Sequence, residues 1–173
     1  RNNGVAASKG EFVAFLDADD IWLPVKLEKQ LERFKADPEV GLVHCSMDFI
    51  DPDDRPCGEN HNGMEGHVAN EFLRFDQGVV VGAGSTALVR REIFDSLGGF
   101  DSSLSTAADW DFCYRLATKH KIAFVREAYV LYRIHNSNMH GNIGVMEHDM
   151  LLGFEKAFAD GATANRKECY GNL

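Results

Sequence analysis

The order of its segments predicts an α/β domain. Three observations lead there. Residues 12–16 (FVAFL) form an unbroken apolar run that ends in the acidic cluster Asp17, Asp19 and Asp20. Residues 24–36 follow with helical periodicity. Strand-like and helix-like segments then continue in mixture, with no internal repeat, low-complexity tract or clear linker. Such a mixture belongs to layered α/β architectures, and 173 residues fit a single domain.

Each element has a local reason. Residues 3–9 read as the tail of a helix, with Gly10 as its stop. The run 12–16 suits a strand buried on both faces. Pro24 opens a helix to about residue 36, with Leu27, Leu31 and Phe34 as its apolar stripe and Lys26, Glu28, Lys29, Glu32 and Arg33 toward water. Asp37-Pro38 ends it. Residues 40–50 read as a strand, and 51–66 carry turn chemistry throughout, a surface excursion. Residues 67–75 suit a short helix, 84–89 a strand, and 91–97 a short helix closed by Gly98-Gly99. A helix is expected over 109–119, strands over 122–125 and 129–134, and a terminal helix over 146–159.

Bulk composition excludes some functions. Hydrophobic residues make up 45% of the chain, enough for a sizeable core. The formal net charge of −9 argues against a nucleic-acid partner, which requires a basic surface. No unbroken apolar run is long enough to span a bilayer. Cys45, Cys57, Cys113 and Cys169 are scattered without a CxxC, which points to a reduced, cytoplasmic setting.

The acidic cluster is the first candidate site. In open α/β sheets, ligands bind beyond the carboxyl ends of strands. Strand alternation would aim Asp17 and Asp19 to one side. Two carboxylates about 5 Å apart repel by roughly 3 kcal/mol at an effective dielectric near 20. A divalent cation reverses that cost, and Mg²⁺ or Mn²⁺ suits oxygen ligands together with substrate phosphates. The alternative is a solvated loop in which Asp20 helps cap the next helix.

Residues 1–31 (RNNGVAASKGEFVAFLDADDIWLPVKLEKQL) resemble the middle of a glycosyltransferase family 2 domain, which has the GT-A fold. The shared pattern is an Arg-Asn-x-Gly helix, Gly-Glu, a hydrophobic strand, the DxD, and a helix opening near Pro. The segments GSTALVRREIFDSLGGFDSSLSTAADWDFCYRLA and YRIHNSNMH match two further family blocks. The resemblance implies a GT-A-like, Rossmann-related mixed sheet flanked by helices. It implies Asp19 as a direct metal ligand, with Asp17 beside the ribose or the metal's water shell. The cation would stabilise a departing nucleoside diphosphate. The implied donor is a nucleotide-diphosphate sugar, a UDP-sugar first. The implied acceptor is a saccharide or lipid-linked molecule of envelope or exopolysaccharide type.

The resemblance also places the catalytic base of an inverting transfer at Asp109. The family's usual Glu before it is here Ala108. Thr106-Ala107-Ala108-Asp109 equally has the form of a helix capping box. Trp110 fits an apolar face for an acceptor sugar and fits a half-buried core position equally well; Asp111 reads as support for the helix or loop. Arg133 and His135 alternate onto one side of the last strand, Arg133 as a phosphate partner and His135 as a further metal ligand or diphosphate contact. Arg1 and Asn2 match the family's helix near the nucleotide. His61 and His67 read as surface residues.

The family's initial strand–helix units, which hold the base and ribose, precede the matched blocks and have no counterpart in this sequence. The expectation is therefore the metal and acceptor portion of a longer domain, peripheral at the inner face of a membrane in the complete protein. Its uncovered sheet surface would favour a homo-oligomer. Two other classes compete. A haloacid-dehalogenase-type phosphohydrolase would use Asp17 as nucleophile and Asp19 as acid/base, though Ile21 stands where that family usually has Thr or Val. A non-catalytic binding module would retain the fold without turnover.

Overall fold

The computed structural model describes residues 1–75, 78–135, 143–164 and 166–171. Its elements are α1 (Asn2–Ala7), β1 (Phe12–Ala14), β2 (Ile21–Trp22), α2 (Lys26–Ala36), β3 (Val40–Ile50), β4 (Pro56–Asn60), α3 (Ala69–Arg74), α4 (Ala83–Thr86), β5 (Leu88–Arg90), α5 (Arg91–Ser96), α6 (Ala108–Ala117), β6 (Lys121–Arg133), α7 (Ile143–Ala159) and α8 (Arg166–Gly171).

The sheet runs β1-β5-β3-β6-β2, with β4 added to the far part of β3. The long central pair β3 and β6 is parallel, from Val40 opposite Lys121 to Ile50 opposite Arg133. β5 is antiparallel to both β3 and β1, so β1 runs in the same direction as the central pair. The carboxyl ends of β1, β3 and β6 therefore meet at one edge, and the loops beginning at residues 15, 51 and 134 crowd there.

Period-two alternation sorts the core into two layers. Leu42, Val89 and Ile122 face one layer, where they join Phe72, Phe94, Phe112, Leu116 and Phe154. Val43, Leu88 and Ala123 face the other, with Phe34, Cys45 and Val130. Phe112 and Leu116 on α6 are 2% and 0% exposed. Burial of each contributes roughly 1.5–3 kcal/mol. That stripe holds the start of α6, and with it Asp109, against the sheet.

Several sequence expectations change in the fold. The strand expected over 12–16 stops at Ala14; it is the last strand at its end of the described sheet, and Leu16 is 48% exposed. The strand expected over 84–89 is split into the turn α4 and the strand β5. Gly82 takes a left-handed φ of 49°, its carbonyl accepts the amides of Ser85 and Thr86, and the Thr86 hydroxyl bonds back to the Val81 carbonyl. Side-chain hydroxyls thus compete with extended structure over this stretch.

The stripe of α2 is rotated. Leu27 is exposed, whereas Lys26 and Gln30 are buried. The Lys26 ammonium lies 4.2 Å from the Trp22 ring centroid and donates to Gln30 Oε1. Gln30 Nε2 donates in turn to the carbonyls of Val43 and Thr86. Burial lowers the Lys26 pKa to about 8. Polar groups enter this core because each finds a partner.

The excursion over 51–66 turns back as β4 along β3. Asp51 Oδ1 accepts the amides of Asp53 and Arg55 at the turn. The two strands expected at 122–134 are one strand, β6, with shifted register opposite Cys45, Ser46 and Met47. The terminal helix starts earlier, at Ile143, and the short α8 follows it. Among the described residues, no helix is long and apolar enough to cross a membrane.

Candidate active site

At the carboxyl edge of β1 and β6 lies a cleft of about 1450 Å³. Arg1, Asp17, Asp19, Asp109, Trp110 and His135 all line it, so side chains from four separate parts of the chain converge there. Met47 and Phe49 of β3, Tyr132 of β6 and Met146 and Met150 of α7 add apolar wall.

The acidic loop is built by position. β1 ends at Ala14, so the following amides lack ladder partners and must find others. The Asp17 amide donates to Ser85 Oγ at 3.1 Å, and the Asp20 amide to the Asp17 carbonyl. The Asp17 carboxylate pairs with Arg1 Nη2 at 2.5 Å. Asp19 turns the other way, its Oδ2 lying 2.8 Å from His135 Nε2. The hydrogen bond from His135 holds the Asp19 carboxyl below its ordinary range. Asp19 and His135 are thus a carboxylate–imidazole donor pair beside the cleft, a set suited to Mn²⁺ or Mg²⁺ completed by phosphate oxygens.

Asp17 is not drawn into that pair. Among the described residues, the group of three donors gathered within 4.8 Å of one another is Asp48, Glu59 and His61. By strand alternation Asp48 and Glu59 face away from Met47, Phe49 and Asn60, which line the cleft. His61, expected as a plain surface residue, pairs with Asp48 at 2.9 Å.

Asp20 does not cap a helix. It is 8% exposed, accepts from Ser85 Oγ at 2.5 Å and from the Arg133 amide at 3.1 Å. Burial raises its pKa against those hydrogen bonds. Arg133 is absent from the cleft lining. Its guanidinium donates to the carbonyls of Asp19 and Asp51 and pairs with Asp54 at 2.7 Å. The expected phosphate partner is instead a strut behind the loop, because three acceptors from two loops surround it.

Asp109 sits in the first turn of α6 with Oδ1 accepting the Trp110 amide at 2.9 Å. Burial raises its pKa. The capping box is not formed: Ala107 is the N-cap and no side chain caps the helix. The Thr106 hydroxyl goes to Asp149. Asp149 Oδ2 on α7 accepts from both the amides and the hydroxyls of Ser105 and Thr106, at 2.7–3.1 Å. Asp111 is the expected support, held by Arg115 and Lys156 at 2.8 and 3.0 Å. Trp110 lines the cleft while its ring stacks on Tyr114 at 5.7 Å.

Sequence reasoning did not single out Ser85 or Asp149. Asp149 had a legible signal, a carboxylate within the apolar face carrying Met146, Met150 and Gly153. Ser85 had none, since its partners in the acidic loop are 63 to 68 residues away in sequence.

Residues 1–170 match the family model described as glycosyltransferase like family 2. An uncharacterized glycosyltransferase of Nostoc sp. is 33% identical over 143 residues, covering 80% of this chain and 44% of the relative. The chain thus spans less than half the length of that relative. Among solved structures, a mannosyltransferase from Pyrobaculum calidifontis in complex with GDP-Man and Mn²⁺ superposes with a TM-score of 0.63 at 21% identity, over 93% of this chain and 43% of that one. S. aureus TarS 1-349 in complex with UDP superposes at 0.57 with 14% identity, over 98% and 46%. These likenesses agree with the mixed sheet and its flanking helices, and the phosphohydrolase alternative falls with the family match. The chain belongs to glycosyltransferase family 2 and has the GT-A fold.

Proposed function

We propose that this chain forms the metal- and acceptor-handling part of an inverting glycosyltransferase that uses a nucleotide-diphosphate sugar. The observation that carries the reading is the single cleft shared by the Asp19–His135 pair and the desolvated Asp109 carboxyl. The neighbours bound to GDP-Man with Mn²⁺ and to UDP support this donor class.

Asp19 and His135 would hold Mg²⁺ or Mn²⁺, with Asp17 beside the ribose or the metal's water shell. When bound, the cation supplies Lewis-acid stabilisation of charge on the departing diphosphate. Arg1, with its side chain 39% exposed, adds a guanidinium for the same oxygens. Asp109 takes the proton of the acceptor hydroxyl as that oxygen bonds to the anomeric carbon. The bond from that carbon to the diphosphate oxygen breaks on the opposite face, which inverts the centre. Trp110 offers ring surface to a saccharide or lipid-linked acceptor of a cell-envelope or exopolysaccharide.

The test is calorimetric titration of Mn²⁺ into the folded chain, alone and with UDP or GDP, repeated with Asp19→Ala. Metal-dependent nucleotide binding that Asp19→Ala abolishes supports the reading. Binding that survives Asp19→Ala, or none in the folded protein, overturns it.

A further inference from the structure

One buried serine gathers the acidic loop. Ser85 lies in the short α4 turn and is 2% exposed. Three residues of the stretch 17–22 bond to it. The Asp17 amide donates to its Oγ at 3.1 Å. Its hydroxyl donates to Asp20 Oδ2 at 2.5 Å. The Trp22 indole Nε1 donates to its carbonyl at 2.7 Å. A hydroxyl has one hydrogen and two lone pairs, so these roles are complementary and compatible at once. No residue with only a donor or only an acceptor could serve Asp17 and Asp20 together.

The neighbouring residue makes the same point sterically. A Cβ on Gly84 would stand 2.7 Å from Asp17 Oδ2 and 3.0 Å from Arg1 Nη2. The backbone of α4 therefore lies directly against the Asp17–Arg1 pair, and a side chain at position 84 would push those two side-chain ends aside. Asp20 in turn accepts the Arg133 amide, two residues before His135. One chain of hydrogen bonds thus runs from the Asp17 amide through Ser85 and Asp20 to the end of β6.

We propose that Ser85 is a positioning residue, the hydroxyl that sets the Asp17–Asp20 loop and, through Asp20, the strand end carrying His135. The proposal rests on the transferase reading for its purpose, but its geometry stands apart from that reading. Without the hydroxyl, the Asp17 amide and Asp20 Oδ2 both lose a buried partner, and the loop is left with its turn bond from the Asp20 amide to the Asp17 carbonyl, its outward pairs to Arg1 and His135, and its contacts to Arg133 and the Ser85 carbonyl.

The experiment compares Ser85→Ala with Thr86→Val in the full chain. Thr86 is the adjacent residue, 0% exposed, and its hydroxyl serves the Val81 carbonyl rather than the acidic loop. Thermal unfolding measures the general cost of losing a buried hydroxyl in each. Amide hydrogen exchange over residues 15–23, and Mn²⁺ titration with UDP or GDP, measure positioning. Ser85→Ala is expected to speed exchange in that segment about tenfold or more and to weaken Mn²⁺–nucleotide binding about tenfold, while Thr86→Val changes neither. Unchanged exchange at 15–23 in Ser85→Ala, or equal loss in both variants, overturns the proposal. Faster exchange in Ser85→Ala alone, in a chain whose wild type binds no Mn²⁺ or nucleotide, supports the positioning role and overturns the transferase reading instead.

Discussion

His135 Nε2 lies 2.8 Å from Asp19 Oδ2, across 116 residues of sequence. The two side chains come from the loop after β1 and the end of β6, which are brought to one edge by the shared direction of those strands. The contact makes the two groups partners, and on the proposed reading a bound cation would take the place of that hydrogen bond. His135→Ala is therefore expected to weaken Mn²⁺ binding by about tenfold or more, and Asp19→Ala by more still, because the carboxylate carries the charge. Titration of both variants checks the order; a His135→Ala protein with wild-type affinity would remove His135 from the site.

Asp109 is expected to act in chemistry rather than in binding. Asp109→Asn should lower kcat by about 10²–10⁴ while leaving Mn²⁺–nucleotide affinity within about twofold. The pH dependence has a definite sign. Burial raises the Asp109 pKa above the ordinary 3.8, so the basic form fills only as pH rises through that raised value. The acid limb of kcat/KM therefore lies above 3.8, and rate profiles against pH in a donor-saturated assay measure it.

Asp149 pins the loop that leads into α6. Burial pushes its pKa up, but the hydrogen bonds from Thr106 and Ser105 outweigh this and hold the carboxyl below its usual range. Asp149→Ala leaves both amides and both hydroxyls without this acceptor. A loss of roughly 1–3 kcal/mol is expected in urea unfolding. Acceptor KM should rise as well, because Asp109 starts three residues beyond Thr106. Since the folded pKa is depressed, this contribution is present above pH 3.8 and is lost as pH falls below it.

His44 predicts acid sensitivity in the core. It is 0% exposed, its Nε2 lies 2.9 Å from the Met64 carbonyl, and its Nδ1 accepts the Val81 amide at 3.3 Å. That pairing makes Nε2 the protonated nitrogen. A second proton on Nδ1 would face the Val81 N–H, donor against donor. Burial lowers the pKa from 6.5 to about 4. The unfolded chain thus binds a proton that the folded one refuses between those values. Stability is full above pH 6.5 and falls by about 3 kcal/mol as pH drops to 4. Urea midpoints across that range should show the slope, and His44→Asn should flatten it.

Local chemistry made much of the molecule legible. The apolar run before the DxD, the Pro24 signal, the strand 40–50 and the paired glycines 98 and 99, with φ of 76° and 70°, all state their conformation within a few residues. The candidate residues Asp17, Asp19, Asp109 and His135 were readable because their blocks are short and contiguous. Segments decided by distant partners were not. The stretch 84–89 has strand-like composition, yet the carbonyl of Gly82 and the hydroxyls of Ser85 and Thr86 wind its first half into a turn. β4 lacks strand-forming residues and exists because β3 offers it an unpaired edge.

By itself the sequence determined the mixed α/β class and the acidic loop at a strand end, and it offered Arg1, Asp17, Asp19, Asp109, Trp110 and His135, which line the cleft. Those follow from periodicity, turn chemistry and residue type, which act over a turn or a strand. Only the tertiary structure decided how the groups are shared. It gave Asp17 to Arg1 and Asp19 to His135, withdrew Arg133 behind the loop, buried Asp20 under Ser85 and tied the approach to Asp109 to Asp149. Each of these is a choice among competing partners for a polar group. That choice is settled by which donors and acceptors the packed layers bring within 3 Å or so of one another.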